Sequence, residues 1–243
     1  MARALAVLSS FDTEHRRLTL TELASHARLP MPTTLRLVRQ LVAGGALERG
    51  PDRRYVVGRR LWDLGLLAPM ETDLRELASP YLHDLQAVTR ATVHLAVREG
   101  TAALYLDRLS GSASVPVISR VGARLPLHAT GVGKVLLAHA PVEIQRQVLS
   151  HLTRDTPYTV TSPRILSNQL VKVRREGYAT TAEEMTLGAC SVAVPVRDAT
   201  STVIAALGIV VPPHERERSR LSSALGVAAQ GLQRELVRRS ATL

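Results

Sequence analysis

The sequence has little of several residue types, and each scarcity excludes something. Its 243 residues include one cysteine, Cys190, which rules out an intrachain disulfide and a cluster of thiolate metal ligands. Aromatic residues make up 3% of the chain, so a core has to be built from Leu, Val, Ala and Ile. Because 45% of the residues are apolar, the chain is nevertheless expected to be globular.

Long hydrophobic segments are also missing. The apolar run 203–211 is about half of the ~20 residues that a membrane span needs, so it is predicted to be a buried strand. The short run 4–8 is followed by Asp12 and Glu14 too soon for a signal peptide. Together with a single cysteine, which fits a reducing compartment, these features predict a cytoplasmic protein with no membrane partner.

The charge balance is strongly positive. Lys and Arg number 31 against 21 Asp and Glu, a formal net charge of +10, and arginine supplies nearly all of the cations. The guanidinium fork is always charged and matches phosphate geometry, so such a surface favours a polyanion. An arginine-rich coding bias explains the choice of residue equally well, although not the net excess. Charge alone leaves both interpretations open.

Three short amphipathic helices are predicted at the N-terminal end. Apolar residues recur at positions i, i+3, i+4 and i+7 in 4–11 and 20–27, and the same spacing recurs in 34–41. Thr19 and Glu22 form a capping box at the start of the second helix. The third helix is predicted to end at a pair of glycines.

The third helix carries the residues expected to meet DNA. Its inner face includes Thr34, and its first turn contains Pro32, a favourable position for proline. The polar, basic outer face consists of Thr33, Arg36, Arg39 and Gln40. Two such helices joined by a tight turn are typical of a helix-turn-helix, whose second helix enters the major groove. Arginine can pair there with guanine.

A strand-turn-strand pattern follows the third helix. Residues 46–49 and 54–57 flank a turn at 50–53, which predicts a β-hairpin, the wing. Three arginines could reach phosphates from this hairpin: Arg49, Arg53 and Arg54. A protein-interaction module built from three helices and a hairpin fits the same periodicity, so that alternative stays open at this point.

Three blocks of the sequence resemble the IclR family of bacterial transcriptional regulators. They are a first block with Leu29-Pro30, Arg36-Leu37, Tyr55–Gly58 and Leu64-Gly65, a continuous second block at 122–138 (GARLPLHATGVGKVLLA), and a third with 175–178 (REGY), Glu183-Glu184 and 192–196 (VAVPV). The blocks have the family's order and spacing. The resemblance implies a transcriptional regulator, not an enzyme, that binds a near-palindromic operator as a homodimer or homotetramer and needs no cofactor or metal.

One feature departs from the family pattern. Members usually have a basic and a small hydroxyl residue just before the threonine of the recognition helix. This chain has Met31 and Pro32 there. One phosphate contact is therefore expected to be lost, and the bases that are read are expected to differ.

The resemblance also implies the domain organisation. It predicts an α+β chain with a winged helix-turn-helix at 1–58, a linker helix at 59–72 and a GAF-like effector-binding and oligomerisation domain at 73–243. Patterning in the last part predicts a hairpin of 92–98 and 102–108 whose sheet continues with 115–121. Further predicted features are a break at Ala68-Pro69, a helix at 74–85 bent by Pro80, helices after Gly131 and at 142–150, 166–176 and 216–239, and strands at 191–196 and 202–211.

An effector pocket is implied by the same resemblance. Eight matched positions would line it: Leu125, Gly131, Val132, Thr181, Ala189, Ser191, Gly208 and Val210. Ser191 stands where relatives often have cysteine, and Gly208 and Val210 stand where a member that binds a small oxoacid would have hydroxyls. The reduced polarity predicts a small organic acid of the larger kind, an aromatic or acyl carboxylate.

Two enzyme-like patterns fail on their spacing. The stretch 131–134 suggests a phosphate loop, but the Walker pattern requires Gly and Ser or Thr where the chain has His128 and Val135. The glycines would either expose amides that hold a carboxylate or only permit a tight turn. No nucleophile-elbow pattern surrounds Ser191, and the histidines lack metal-ligand spacing. His128 and Cys190 are therefore expected to be structural. The alternative to a transcriptional regulator is a ligand-binding or enzymatic module with an N-terminal protein-interaction domain.

Overall fold

A computed structural model describes residues 1–12, 14–65, 71–213 and 218–240. The chain divides into two units, Met1–Thr72 and Asp73–Leu243. The first unit contains, in chain order, helices α1 (Ala2–Leu8), α2 (Leu20–His26) and α3 (Met31–Ala43), strands β1 (Leu47–Arg49) and β2 (Tyr55–Val57), and helix α4 (Arg59–Gly65).

The helix-turn-helix and wing are both present in the first unit. The predicted capping box is formed, because the Thr19 amide donates to Glu22 Oε2 at 2.6 Å and the Glu22 amide donates to Thr19 Oγ1 at 3.3 Å. Strands β1 and β2 pair antiparallel, with Leu47 opposite Val57. One apolar core unites the helices and the hairpin; its most buried members are Val7, Leu18, Leu23, Val38 and Leu47.

The second unit is an α+β arrangement, as predicted. Its elements are α5 (Glu71–Thr89), β3 (Thr92–Glu99), β4 (Ala102–Leu109), β5 (Arg124–Pro126), α6 (Gly131–Ala138), α7 (Val142–Leu149), α8 (Pro163–Glu176), β6 (Ala179–Ala182), β7 (Cys190–Arg197), β8 (Val203–Val211) and α9 (Arg218–Ser240). The six strands form one antiparallel sheet in the order β5-β4-β3-β8-β7-β6.

The two faces of the sheet differ in side-chain size. One face packs large residues such as Leu207, Ile209 and Val194 against α5 and α9. The other face, on which α6 packs with α8 against it, carries small residues that include Ala193 and Ala206. Because successive side chains of a strand point to opposite faces of the sheet, the large residues lie on one face and the small residues on the other. The small residues allow α6 to approach the sheet closely.

The predicted elements agree with the structure except in the region after β4. Residues 115–121 were expected to extend the sheet and this was wrong, since they form no strand. Pro116 has no amide hydrogen for a strand ladder, and Val117 and Ile118 face a cavity instead. The short strands β5 and β6 were not predicted.

Helix α5 continues through Pro80. The predicted break at Ala68-Pro69 lies outside the described residues, as does the start of the terminal helix at 216. Within the described ranges, no helix combines the length and apolarity needed to cross a membrane.

Candidate functional sites

Helix α3 presents the predicted basic face to solvent. Thr34 and Val38 are buried on its inner side. The outer side holds the residues predicted to meet DNA, of which Thr33 is half-buried and the others are exposed: Pro32, Arg36, Arg39 and Gln40. The described residues provide no ion pair or side-chain hydrogen bond to Arg36 or Arg39. Both guanidinium groups can therefore reach a phosphate or a base edge.

The three arginines of the hairpin have different environments. Arg49 lies over an aromatic ring, with its guanidinium carbon 5.8 Å from the centroid of Tyr55. Arg54 is half-buried and lies 3.5 Å from the Glu22 carboxylate, so it is partly engaged within its own unit. Arg53 is exposed at the tip of the hairpin. Of the three, Arg53 is the most available to an external phosphate.

One arginine that the sequence patterns missed lies in the turn between α2 and α3. Arg28 is exposed and has a φ of 53°, and Arg53 similarly has a φ of 61°. This left-handed region costs a non-glycine residue about 1–2 kcal/mol. Strain of this kind often accompanies function. The only signal for Arg28 in the sequence was its place in a turn.

A cavity in the second unit lies between the sheet, the start of α6, the loop 183–189 and the irregular segment 110–123. Its empty volume is about 470 Å³, a value that includes the open mouth. All eight residues predicted for an effector pocket line this one cavity. The side chains around it include no Asp, Glu, Lys or Arg among the described residues. A ligand there would meet only uncharged groups and backbone dipoles.

The start of α6 forms one end of the cavity. Thr130 caps the helix by accepting a hydrogen bond from the Gly133 amide at 3.1 Å. The amides of Gly131 and Val132 belong to the first turn, where a helix offers them no internal acceptor. A β-carbon on Gly131 would lie 2.4 Å from Ser191 Oγ and 3.3 Å from Ser191 Cβ, so a side chain there would require Ser191 or the helix to shift. The glycine thus has a packing role, and the first-turn amides remain directed outward from the helix end.

Two hydroxyl groups stand beside this helix end. Thr181 on β6 is paired in register with Ser191 on β7, and their hydroxyl oxygens are 2.6 Å apart. Their mutual hydrogen bond uses one of the two hydroxyl hydrogens. The other hydrogen can be donated to a ligand oxygen.

A second polar group, which the sequence analysis did not single out, lines another part of the cavity wall. His94 on β3 and Ser119 are both buried, with Nε2 and Oγ 2.8 Å apart. The His94 ring also meets the Tyr105 ring edge-on, with 5.0 Å between centroids. Burial lowers the pKa of His94 to about 3, and the positive charge of Arg108 adds to this. Burial also raises the pKa of Tyr105 above its usual range, so both rings are neutral at physiological pH.

Comparison with protein families matches both units. Residues 1–51 match the IclR helix-turn-helix domain, and residues 68–234 match the domain described as bacterial transcriptional regulator IclR C-terminal. The chain belongs to the IclR family. It is therefore a DNA-binding, helix-turn-helix transcriptional regulator of the IclR type, and the resemblance found in the sequence is confirmed.

Individual IclR-family relatives agree along nearly the whole chain. The transcriptional regulator XynR of Escherichia coli K12 is 33% identical over 210 residues, which cover 85% of this chain and 83% of XynR. The crystal structure of an IclR homologue from Microbacterium hydrocarbonoxydans in complex with 4-hydroxybenzoate has a TM-score of 0.93 and 37% identity, covering 97% of this chain and 98% of that one. The IclR of Thermotoga maritima has a TM-score of 0.79 and 29% identity, covering 96% and 97%.

The lysine of the IclR-like block at 122–138 is an internal structural group. Lys134 Nζ donates to Glu184 Oε1 at 2.6 Å and to Gln169 Oε1 at 2.8 Å, and both partners of the ion pair are buried. Burial lowers the pKa of Lys134, while the Glu184 carboxylate opposes that shift. The pair attaches the loop 183–189, whose residues line the cavity, to helix α6. Its role differs from that of a phosphate-loop lysine, which would face its ligand.

The residues considered for catalysis are not assembled. His128 Nε2 hydrogen-bonds the Thr153 carbonyl at 2.9 Å, which fits a structural histidine, whereas Ser191 bonds Thr181. Cys190 is buried in the sheet. The part of the chain that the structure describes contains no group of three or more His, Cys, Asp or Glu side chains suited to a metal ion.

The buried ion pair gives a test of this local architecture. Glu184→Gln leaves the Lys134 charge buried without its counterion, so we expect it to lower the free energy of unfolding by about 3–5 kcal/mol. Replacing both partners, as Lys134→Met with Glu184→Leu, removes the uncompensated charge and is expected to be less destabilising than either single change. Urea unfolding of Glu184→Gln, of Lys134→Met, of Glu184→Leu and of the double variant measures this. Additive losses in the double variant would contradict the coupling.

Proposed function

We propose that this IclR-family chain binds an operator as a homodimer or homotetramer and that an organic acid in the cavity modulates this binding. The observation that carries the proposal is the combination of an unpaired basic face on α3 with an uncharged cavity in the other unit. An effector changes operator affinity by binding one arrangement of the protein more tightly than another.

The proposed contacts with DNA divide into two sets. Thr33 and Arg36, near the start of α3, are proposed to meet base edges, with Arg39 and Gln40 following along the same face. Pro32 fixes the entry of the helix into the groove. The hairpin residues are proposed to contact phosphates, which position the protein without reading sequence: Arg49, Arg53 and Arg54.

Self-association is supported by the surface of α4. This helix has no buried residues, and Trp62 and Leu64 are 66% and 54% exposed. Large apolar side chains left in solvent on a helix with no buried residue can be covered by a partner chain. A second copy of the chain would bring a second recognition helix to the other half of a near-palindromic site. We assign 1–58 to DNA binding, 59–72 to the linker and 73–243 to effector binding and oligomerisation.

The effector is proposed to be an aromatic or acyl carboxylate. Its carboxylate would accept hydrogen bonds from the Gly131 and Val132 amides, helped by the positive end of the α6 dipole, and from the Thr181–Ser191 hydroxyl pair. Its apolar part would contact the apolar lining, which includes Leu125, Ala189, Val210 and Gly208. The IclR homologue from Microbacterium hydrocarbonoxydans, which carries 4-hydroxybenzoate, supports a ligand of this size.

A catalytic function is the weaker alternative. His128 and Ser191 do not bond each other. His128 bonds the Thr153 carbonyl at 2.9 Å, and Ser191 bonds Thr181 at 2.6 Å. We therefore propose a cytoplasmic, non-enzymatic regulator that needs no cofactor. Turnover of a bound organic acid by the purified protein would favour the alternative.

DNA binding is tested by a gel shift with the DNA upstream of the chain's own gene. We expect a salt-sensitive, sequence-selective complex whose affinity falls by about tenfold or more in Arg36→Ala, because a base contact contributes about 1–3 kcal/mol. The control is Arg164→Ala on α8, which removes the same charge from an exposed position in the other unit. Absence of a shift at low salt, or an equal loss in both variants, would count against the assignment.

The strained turn arginines give a second test. Arg28→Gly and Arg53→Gly relieve a left-handed backbone conformation. The free energy of unfolding is therefore expected to stay constant or to rise by up to about 1 kcal/mol, and the melting temperature is expected to follow it. Each change is expected to weaken DNA binding and to reduce the slope of log K against log salt by about one. Ser201→Gly, at a φ of 66° in the other unit, is the matched control that affects stability alone. Unchanged DNA affinity would remove these arginines from the interface.

The effector class is tested by a thermal-shift screen of organic acids. A ligand at one hundred times its Kd stabilises the folded chain by about 2.7 kcal/mol. We expect benzoates or medium-chain acyl carboxylates to raise the melting temperature and Ser191→Ala to reduce the effect. Stabilisation by two- and three-carbon oxoacids alone would contradict the proposed class.

A further inference from the structure

We propose that His94 and Ser119 select the effector by hydrogen-bonding a neutral polar group at the end of the ligand remote from its carboxylate. This inference rests on the proposed function, since it takes the carboxylate to bind at the start of α6. The ligand class that follows is a carboxylate with a hydroxyl or carbonyl group about one aromatic ring away.

The first argument is the separation of the two polar regions. His94 lies on β3 directly opposite Gly208 on β8, and Gly208 in turn lies opposite Ala193 on β7, the strand that carries Ser191. Two spacings between neighbouring strands therefore separate His94 from β7, a distance on the order of 10 Å. A benzoate with a substituent opposite its carboxylate, together with the hydrogen bonds at both ends, has about this length.

The second argument is the apolar lining between these regions. Gly208 has no side chain, and Val132 packs over it, since a β-carbon on Gly208 would come within 2.7 Å of Val132 Cγ1. Val132 and Gly208 both line the cavity between His94 and the start of α6. Tyr105 also lines this space, and its ring meets His94 edge-on. An apolar group such as an aromatic ring matches this lining.

The third argument is the hydrogen-bonding capacity of the pair. A neutral imidazole has one donor and one acceptor nitrogen, and a hydroxyl can donate once and accept twice. If Ser119 donates to His94 Nε2, its oxygen can accept from a ligand hydroxyl. In the other tautomer Nε2 donates to Ser119, whose hydrogen is then free for a ligand carbonyl. A second charged group on the ligand would find no counterion, since the described lining has none.

The pair also joins the sheet to the irregular segment of the cavity wall. The segment 110–123 has no regular structure around Ser119 and is anchored near its ends, where the Ala113 amide donates to the Arg90 carbonyl and the Gly122 amide donates to the Tyr105 carbonyl, both at 2.8 Å. Between these anchors, the hydrogen bond to His94 ties the segment to the sheet. A ligand group that joins this bond therefore contacts the sheet and the segment together.

The experiment compares three ligands of the full-length chain by calorimetry: benzoate, 4-methylbenzoate and 4-hydroxybenzoate. The last two differ only by a methyl group in place of a hydroxyl. Because a site built to bond a hydroxyl strongly rejects the analogue that lacks it, we expect the hydroxyl ligand to bind at least tenfold more tightly than the methyl ligand. In Ser119→Ala and in His94→Phe this ratio is expected to fall close to one.

Ser191→Ala provides the matched control at the carboxylate end. It is expected to weaken the hydroxyl and methyl ligands by the same factor and to leave their ratio unchanged. Melting temperatures of the three variants identify any that fail to fold, and Ser119→Ala, in an irregular segment, keeps the test available if His94→Phe unfolds. A ratio near one in the wild type, or a ratio that Ser119→Ala leaves unchanged, overturns this inference while the effector class stands. Binding of none of the three ligands overturns this inference and the aromatic part of the proposed effector class together.

Discussion

Helix α6 begins so close to strand β7 that its first residue has no room for a side chain. A β-carbon on Gly131 would overlap Ser191 Oγ, and one on Gly208 would overlap Val132. This approach depends on the small side chains of one sheet face, whereas the large residues of the opposite face pack against α5 and α9. It brings the first-turn amides of α6 next to the hydroxyl pair. The shape and the polarity of the cavity both follow from this contact.

The buried Lys134–Glu184 pair joins the same helix to a loop of the cavity wall. Lys134 follows Gly131 by three residues, and its ammonium group donates to the Glu184 carboxylate in the loop 183–189. That loop supplies Met185, Thr186 and Ala189 to the cavity wall. The close helix and the fastened loop shape the cavity before a ligand enters. The protein would then lose less conformational entropy when a ligand binds.

Sequence patterns predicted the local features best. The capping box of α2, the buried Thr34 and the β3–β4 hairpin depend on residues near one another in the chain, and each is present. The pocket residues came from the family resemblance, since periodicity cannot bring Leu125 and Val210 to one cavity. His94 and Ser119 were missed because their pairing joins positions 25 residues apart. The strand expected at 115–121 failed for a related reason: apolar residues that line a cavity alternate much as a strand does.

The absence of charged side chains around the cavity, within the described residues, separates the two binding reactions physically. Contacts between arginine and phosphate displace condensed counterions, so operator affinity falls steeply as salt rises. The organic acid proposed for the cavity would meet no fixed ionic partner there, and a partly buried site is screened less by salt. Moderate salt can therefore release the protein from DNA while its cavity stays filled. In a cell whose ionic strength varies, the affinity of the cavity for the proposed effector would therefore stay nearly constant while the affinity for DNA changes.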